Sequence, residues 1–207
     1  MSRCPHSVLA SLLLAGGTAL YAAPIPYGDP GHPAPLTSLT ATSTGSITGF
    51  FVDSSAVDND SIALLDVTSG VMSSFFFANH STAVGTTANF GNVTAGDQLV
   101  FVLQNASEGD LLRSDTNNPD GIPHAYVTSF AGGLLNNRLF PAGLYVGSED
   151  RTVAQGSDLD YNDDNFIFSN VSTVAAPTVT PEPSTLALMG TGVLGAFGML
   201  RRKLACG

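Results

Sequence analysis

"SITGFFVDSSAVDNDSIALLDV", Ser46 to Val67, carries the architecture of the chain in miniature. Two short apolar runs, rich in β-branched and aromatic residues, flank a polar stretch of Asp, Ser and Asn. Neither run has the length or the 3.6-residue period of a helix. Each reads as a strand, and the polar stretch reads as the loop between them. The same texture continues through "VMSSFFFA", "ANFGNVTAGDQLVFVLQN", "HAYVTSF", "RLFPAGLYVGSED" and "NFIFSNVSTV", with no fixed-period repeat. Many short strands with polar turns predict an all-β chain with little helix. The expected form is a single β-sandwich, jelly-roll-like, over residues 46–172. Side chains alternate faces along a strand. Phe75, Phe76 and Phe77 therefore send at least one ring outward unless a second layer covers it. Phe50, Phe51 and Tyr161 are the other ring candidates for an exposed platform.

The two ends have a different character. Arg3, an apolar run from Val8 to Leu20, and small residues at Ala22 and Ala23 have the layout of a secretory signal peptide over residues 1–22. Residues 23–45, rich in Pro, Gly, Ser and Thr, read as an irregular leader, and residues 173–180 as a linker. Leu186 to Leu200 carries no charge. It is shorter than the roughly 20 residues that cross a bilayer. Ser184, Thr185 and the snorkelling stems of Arg201, Arg202 and Lys203 extend it to a minimal transmembrane helix, with the cations on the cytoplasmic side.

"PEPST", the apolar segment with its glycines, and "RRK" together resemble the PEP-CTERM sorting signal of exported Gram-negative bacterial proteins. The resemblance covers about Pro181 to Lys203, within a sorting segment of residues 181–207 that includes the transmembrane helix. It implies that Pro181, Glu182 and Pro183 are recognition residues and that Arg201, Arg202 and Lys203 complete the signal. It also implies processing by a membrane exosortase, with signal peptidase acting at the other end. The product would pass through a transient membrane anchor to the cell envelope, outer surface or extracellular matrix.

Between the ends the only basic residues are Arg113, Arg138 and Arg151, against sixteen acidic ones. Nucleic acid and anionic membrane are poor partners for such a surface, and divalent cations are natural ones. Cys4 and Cys206 lie in the end segments, so the domain has neither a disulfide nor a cysteine nucleophile.

The acid is concentrated in "GSDLDYNDDNFIF", Gly156 to Phe168. Asp158, Asp160, Asn162 and Asp164 recur at intervals of two, the spacing of oxygen ligands around a tight calcium loop. An EF-hand would need glycine at the sixth position and glutamate at the twelfth. Counted from Asp158, those places hold Asp163 and Ser169, which excludes it. Glu149 and Asp150 are available as further Ca2+ ligands, and Asp53, Asp58 and Asp60 offer carboxylates from an earlier loop. Asp163 has the other parity and either holds the turn or faces a second ion. The alternative is a solvated turn in which Asp and Asn cap their own backbone before a strand. Arg151 is the one nearby counter-ion.

"GLYVGSEDRTVAQGSDLDYNDDNFIFSNV" resembles the end of a domain-of-unknown-function 4114 type module. The matching positions are Gly147, Glu149, Asp150, Asp158, Asp160, Tyr161, Asn162 and Asp163, followed by Phe166 to Phe168. Upstream, His124 stands at the matching strand opening. The likeness covers roughly residues 47–171 and implies an exported, cation-stabilised β domain. Asp164 and Asn165 depart from the pattern, which moves the expected strand start a residue later.

Catalytic motifs are missing: there is no H-E-x-x-H helix and no G-x-S-x-G elbow. His6, His32, His80 and His124 are scattered. A glycosidase needs two carboxyl groups about 5–9.5 Å apart across a sugar, and this acidic turn is a poor wall for that cleft. The sequence therefore reads as a non-enzymatic envelope or matrix protein. Its expected role is structural or adhesive, associated with exopolysaccharide or other envelope proteins. A calcium-dependent carbohydrate-binding module is the alternative, and a glycoside hydrolase ranks below both.

Overall fold

The computed structural model describes residues 25–174. The expected signal peptide, the expected sorting residues Pro181, Glu182, Pro183, Arg201, Arg202 and Lys203, and the expected transmembrane helix lie outside the described residues. Among the described residues no helix is long and apolar enough to cross a membrane.

Strands follow the apolar runs. In chain order they are β1 (Leu39–Ala41), β2 (Gly45–Ser54), β3 (Asp60–Asp66), β4 (Val71–Met72), β5 (Thr87–Val93), β6 (Gln98–Asn105) and β7 (Asp110–Arg113). After these come β8 (Ala125–Phe130), β9 (Gly133–Leu135), β10 (Arg138–Phe140), β11 (Gly143–Ser148), β12 (Asp164–Phe168) and β13 (Val171–Thr173). One sheet has the order β13-β1-β6-β3-β4, with β7 also on β6. The other has the order β5-β2-β12-β11-β8, and β9 pairs with β10. Every pairing of these strands is antiparallel. This is an all-β, two-sheet fold consistent with a sandwich-like arrangement.

Alternation along the strands builds the core. Leu99, Phe101 and Leu103 of β6 and Ile62 and Leu64 of β3 meet Phe51 of β2 and Phe166 and Phe168 of β12 in one buried cluster. Phe101 and Phe168 have ring centroids 4.3 Å apart across it. Full burial of each such side chain is worth about 1.5–3 kcal/mol. The opposite face of the second sheet is also covered: Val52, Tyr145 and Ile167 pack with Leu135 and Phe140 of the β9–β10 pair, and Phe50 joins them. Adjacent Phe50 and Phe51 are thus accommodated on two faces.

The "FFF" run is solved differently. Phe77 takes a left-handed backbone, φ 62°, so the strand-like alternation fails there. Both Phe76 and Phe77 then pack on Phe90, at 4.9 and 5.8 Å, and Phe75 is half-buried. Phe77 alone of the three is buried, and Phe75 and Phe76 keep part of their surface exposed.

The proline-rich leader is less irregular than expected. It contributes β1, which lies between β13 and β6 and buries Leu39 and Ala41. Three residues are too few for a strand period to show in the sequence. β12 starts at Asp164, earlier than the expected apolar start, because Asp164 and Asn165 are buried and pair with Ser148 and Gly147 of β11.

Register brings the acidic residues to one end. Asp60 opens β3 opposite Asn105, the last residue of β6. Asp164 opens β12 between Ser54 at the end of β2 and Ser148 at the end of β11. The Asn105 side-chain amide donates to the Asp150 carbonyl at 2.8 Å, which ties these ends of the two sheets together.

Candidate cation site

After β11 the chain carries Glu149 and Asp150 into a short 3-10 turn, Val153–Gln155, which closes at Gly156 with φ 95°. It then enters "SDLDYNDD". Leu159 and Tyr161 both adopt left-handed backbones, φ 55° and 57°, an uncommon conformation for bulky residues. Their side chains hold them there. Leu159, Tyr161 and Ala34 form a small buried cluster with Tyr27 packed against it. The Tyr161 hydroxyl donates to the Pro123 carbonyl at 3.0 Å. These anchors turn the apolar residues of the loop inward and gather the intervening acids.

Glu149, Asp158 and Asp160 each bring a carboxylate oxygen to within 4.8 Å of the others. This is a cluster of acidic residues able to coordinate a divalent cation. Glu149 is buried, Asp158 is exposed and Asp160 is half-buried. Glu149 is oriented by two donors: the Tyr161 N–H reaches Oε1 at 2.6 Å, and the Ser157 hydroxyl reaches Oε2. An ionised carboxylate has about four lone-pair sites, so both oxygens keep capacity for an ion. Burial pushes the Glu149 carboxyl above its ordinary range. Burial, and then the charge of Asp158, does the same to Asp160. A cation would relieve both effects. Gly147 is part of this construction. The Tyr161 carbonyl oxygen lies where a β-carbon on residue 147 would stand.

The other residues expected as ligands go elsewhere. Asn162 lies beside the cluster rather than in it: its amide donates to Asp160 Oδ2, and its Oδ1 accepts from the Ser55 hydroxyl. Asp164 points away, into the interior, where Asp60 is a neighbour. The Asp150 N–H donates to Asp163 Oδ2 at 3.0 Å, and Asp150 and Asp163 are neighbours of one another. Burial pushes Asp60 and Asp150 up to about 6 and Asp163 to about 7, with neighbouring carboxylates adding to the rise. Asp164 is pushed well above the ordinary range, again by burial and then by Asp60.

Arg151 is held chiefly by Asp58, its Nε donating to Asp58 Oδ2 at 2.8 Å, and its charge also acts on Asp150. That bond, with a second from Asn105, holds the Asp58 carboxyl below the usual range. The roles of Asn79 and Asn105 were not foreseeable. Each orients an aspartate through its side-chain amide, yet nothing local distinguishes it from other asparagines in the chain. A cleft of ≈ 240 Å³ opens beside Glu149 and Asp158, lined also by Asp150, Asp163, Arg151 and Ser55.

Residues 179–203 match the model of the PEP-CTERM protein-sorting motif. The chain is an exported protein bearing that sorting signal, and the motif implies processing by an exosortase-type system. No curated protein matches the chain.

Proposed function

We propose that this is a cell-envelope or extracellular-matrix protein, structural or adhesive and associated with exopolysaccharide, whose β domain is held in shape by calcium at Glu149, Asp158 and Asp160. The sorting motif at residues 179–203 carries the reading, because it directs the chain to the surface where such material is assembled. Signal peptidase and an exosortase are its processing enzymes, and exopolysaccharide or other envelope proteins are its partners. Calcium is the preferred cation because the cluster offers only oxygen, and a surface loop tolerates calcium's loose coordination better than magnesium's tight octahedron. The likeness of residues 47–171 to a domain-of-unknown-function 4114 type module belongs to the same reading.

A non-enzymatic role is favoured by the use of the carboxylates. Both oxygens of Glu149 already anchor backbone or side chain, which suits a scaffold better than a proton-transfer group. The second reading, a calcium-dependent carbohydrate-binding module, draws on the polar cleft beside the cluster. That cleft has no aromatic residue in its lining, which favours the structural role.

The experiment is fractionation of the source cells with and without the exosortase. The protein should move from membrane to matrix only when the enzyme is present, and it should co-purify with polysaccharide in calcium but not in chelator. Equal release without the enzyme, or no polysaccharide association in calcium, would overturn the reading. Tight binding of one defined oligosaccharide would favour the second.

A further inference from the structure

We infer that Asp60, Asp150, Asp163 and Asp164 form a second calcium site, distinct from the group Glu149, Asp158 and Asp160. Four carboxylates from three parts of the chain meet where the ends of the two sheets come together. Asp60 is in contact with both Asp164 and Asp150, and Asp150 with Asp163. None of the four belongs to the first cluster.

The observation that points to a ligand is the state of the innermost oxygens. Asp164 is fully buried, and neither of its carboxylate oxygens has a hydrogen-bond partner. Asp60 is 3% exposed, and its Oδ1 is likewise unpartnered. Buried carboxylates are ordinarily hydrogen-bonded or paired with charge. Few polar groups surround these two. The Ser54 hydroxyl lies beside Asp164 and accepts from the Ala56 N–H and the Asn79 amide. The Asn79 amide donates to Asp60 Oδ2 at 3.1 Å and to the Asp58 carbonyl at 2.9 Å. Arg151 and the Asn105 amide serve Asp58. Three orphaned oxygens, with the carboxylates of Asp150 and Asp163 nearby, are all-oxygen donors that a hard cation would draw together. Calcium's six to eight flexible contacts suit them. There is also a way in. Asp150 and Asp163 line the ≈ 240 Å³ cleft, while Asp60 and Asp164 are buried.

The test is bound calcium per chain, measured by atomic emission after equilibrium dialysis of the full chain in detergent, stripped beforehand with chelator. Wild type should hold two. Asp60→Asn and Asp164→Asn should each hold one, as should Asp158→Asn, and Asp60→Asn with Asp158→Asn should hold none. The wild-type ratio does not depend on any variant folding. Asp163→Asn, at the half-buried edge of the group, serves if the interior variants fail to fold. One calcium lost in Asp60→Asn and kept in Asp158→Asn sustains this site and removes the ion from the other cluster. One calcium that Asp60→Asn retains overturns the inference. So does a ratio of zero, or a ratio of two unchanged by both Asp60→Asn and Asp164→Asn. The last two outcomes would leave the four carboxyls as a group that shares protons only.

Discussion

The hydroxyl of Tyr161 accepts a hydrogen bond from the backbone N–H of Ala34 at 2.7 Å, across 127 residues of sequence. The same hydroxyl donates to Pro123, so one side chain clamps the leader, the approach to β8 and the acidic loop. Its phenol is pushed up to about 12, chiefly by burial, and stays neutral at any working pH. Tyr161→Phe keeps the ring against Tyr27, 5.0 Å away, but strands a buried N–H. The expected loss is about 1–3 kcal/mol in urea unfolding, together with several-fold weaker calcium binding as the left-handed backbone at 161 loosens. A change in stability under about 0.5 kcal/mol would show that the clamp contributes nothing.

Gly147→Ala tests the close approach beneath the same loop. A β-carbon there collides with a backbone carbonyl, which cannot swing aside as a side chain would. The loop must move, and Glu149, two residues on, moves with it. Overpacking of this kind costs about 1–3 kcal/mol, and calcium affinity should fall in parallel. Phe140→Ala, at a side chain buried on the other face in the β9–β10 pair, should reduce stability while leaving calcium affinity nearer to wild type. Equal affinity in Gly147→Ala and wild type would separate Gly147 from the cation site.

The strands were legible because their signal is local: short apolar runs rich in β-branched and aromatic residues, bounded by polar turns. "QLVFVLQN" declares β6 without help from elsewhere, and "NFIF" declares most of β12. The site was legible only in part. The interval of two from Asp158 to Asp164 assumes that successive residues keep alternating direction. Left-handed backbones at Leu159 and Tyr161, and the start of β12 at Asp164, break that assumption. Asp164 therefore leaves the loop and joins Asp60, 104 positions earlier. Such a meeting is set by sheet register, which no window of sequence contains. The β9–β10 cover over Ile167 and Tyr145 was hidden for a similar reason: "GLL" and "RLF" are too short to announce strands.

Metal-free protein should become less stable as pH rises. Asp60, Asp150 and Asp163 have folded-state values of about 6, about 6 and about 7, above the ordinary carboxylate value of 3.8. Between those limits the native state binds protons that the unfolded chain has released. Stability from these groups is therefore complete below about pH 4 and is lost as pH rises through 6 and 7. Calcium bound at the proposed second site would replace the protons as the neutralising charge, so adding it should flatten the decline. Urea unfolding of a fragment spanning residues 23–180, at pH 5 and pH 8, with chelator or calcium, measures this. A chelated protein more stable at pH 8 than at pH 5 would contradict the assignment.

Processing is checked by mass. The protein recovered from the cell surface should lack the segment before about Ala23 and the tail beyond Pro181, Glu182 and Pro183. Replacing Arg201, Arg202 and Lys203 with glutamine should trap the precursor in the membrane, since the resemblance makes the basic cluster part of the signal. Surface material that still carries Cys206 would show that the motif is not cleaved.

Calcium should raise the melting temperature of the 23–180 fragment, and the share contributed by the loop cluster is bounded. Without an ion, Glu149, Asp158 and Asp160 repel one another at the mouth of the loop, and Asn162 is their neutral neighbour, its amide donating to Asp160. A bound cation cancels that repulsion in the native state alone. Its contribution grows as RT ln(1 + [L]/Kd), so a millimolar site adds about 1.4 kcal/mol at ten times its Kd. For a domain of this size that is a rise of about 3–6 °C. Magnesium should give less, because it resists dehydration and demands a tighter octahedron. Asp160→Asn keeps the shape and drops one charge. It should relieve part of the repulsion, so its chelated midpoint should lie at or above wild type while its calcium response shrinks. The opposite signs of those two changes distinguish a cation ligand from a group that merely holds the turn, whose loss would lower the midpoint in every condition. Scanning calorimetry of both proteins in calcium, magnesium and chelator at one ionic strength reads all of these. If the wild-type midpoint is the same in the three conditions, the cluster is a solvated turn.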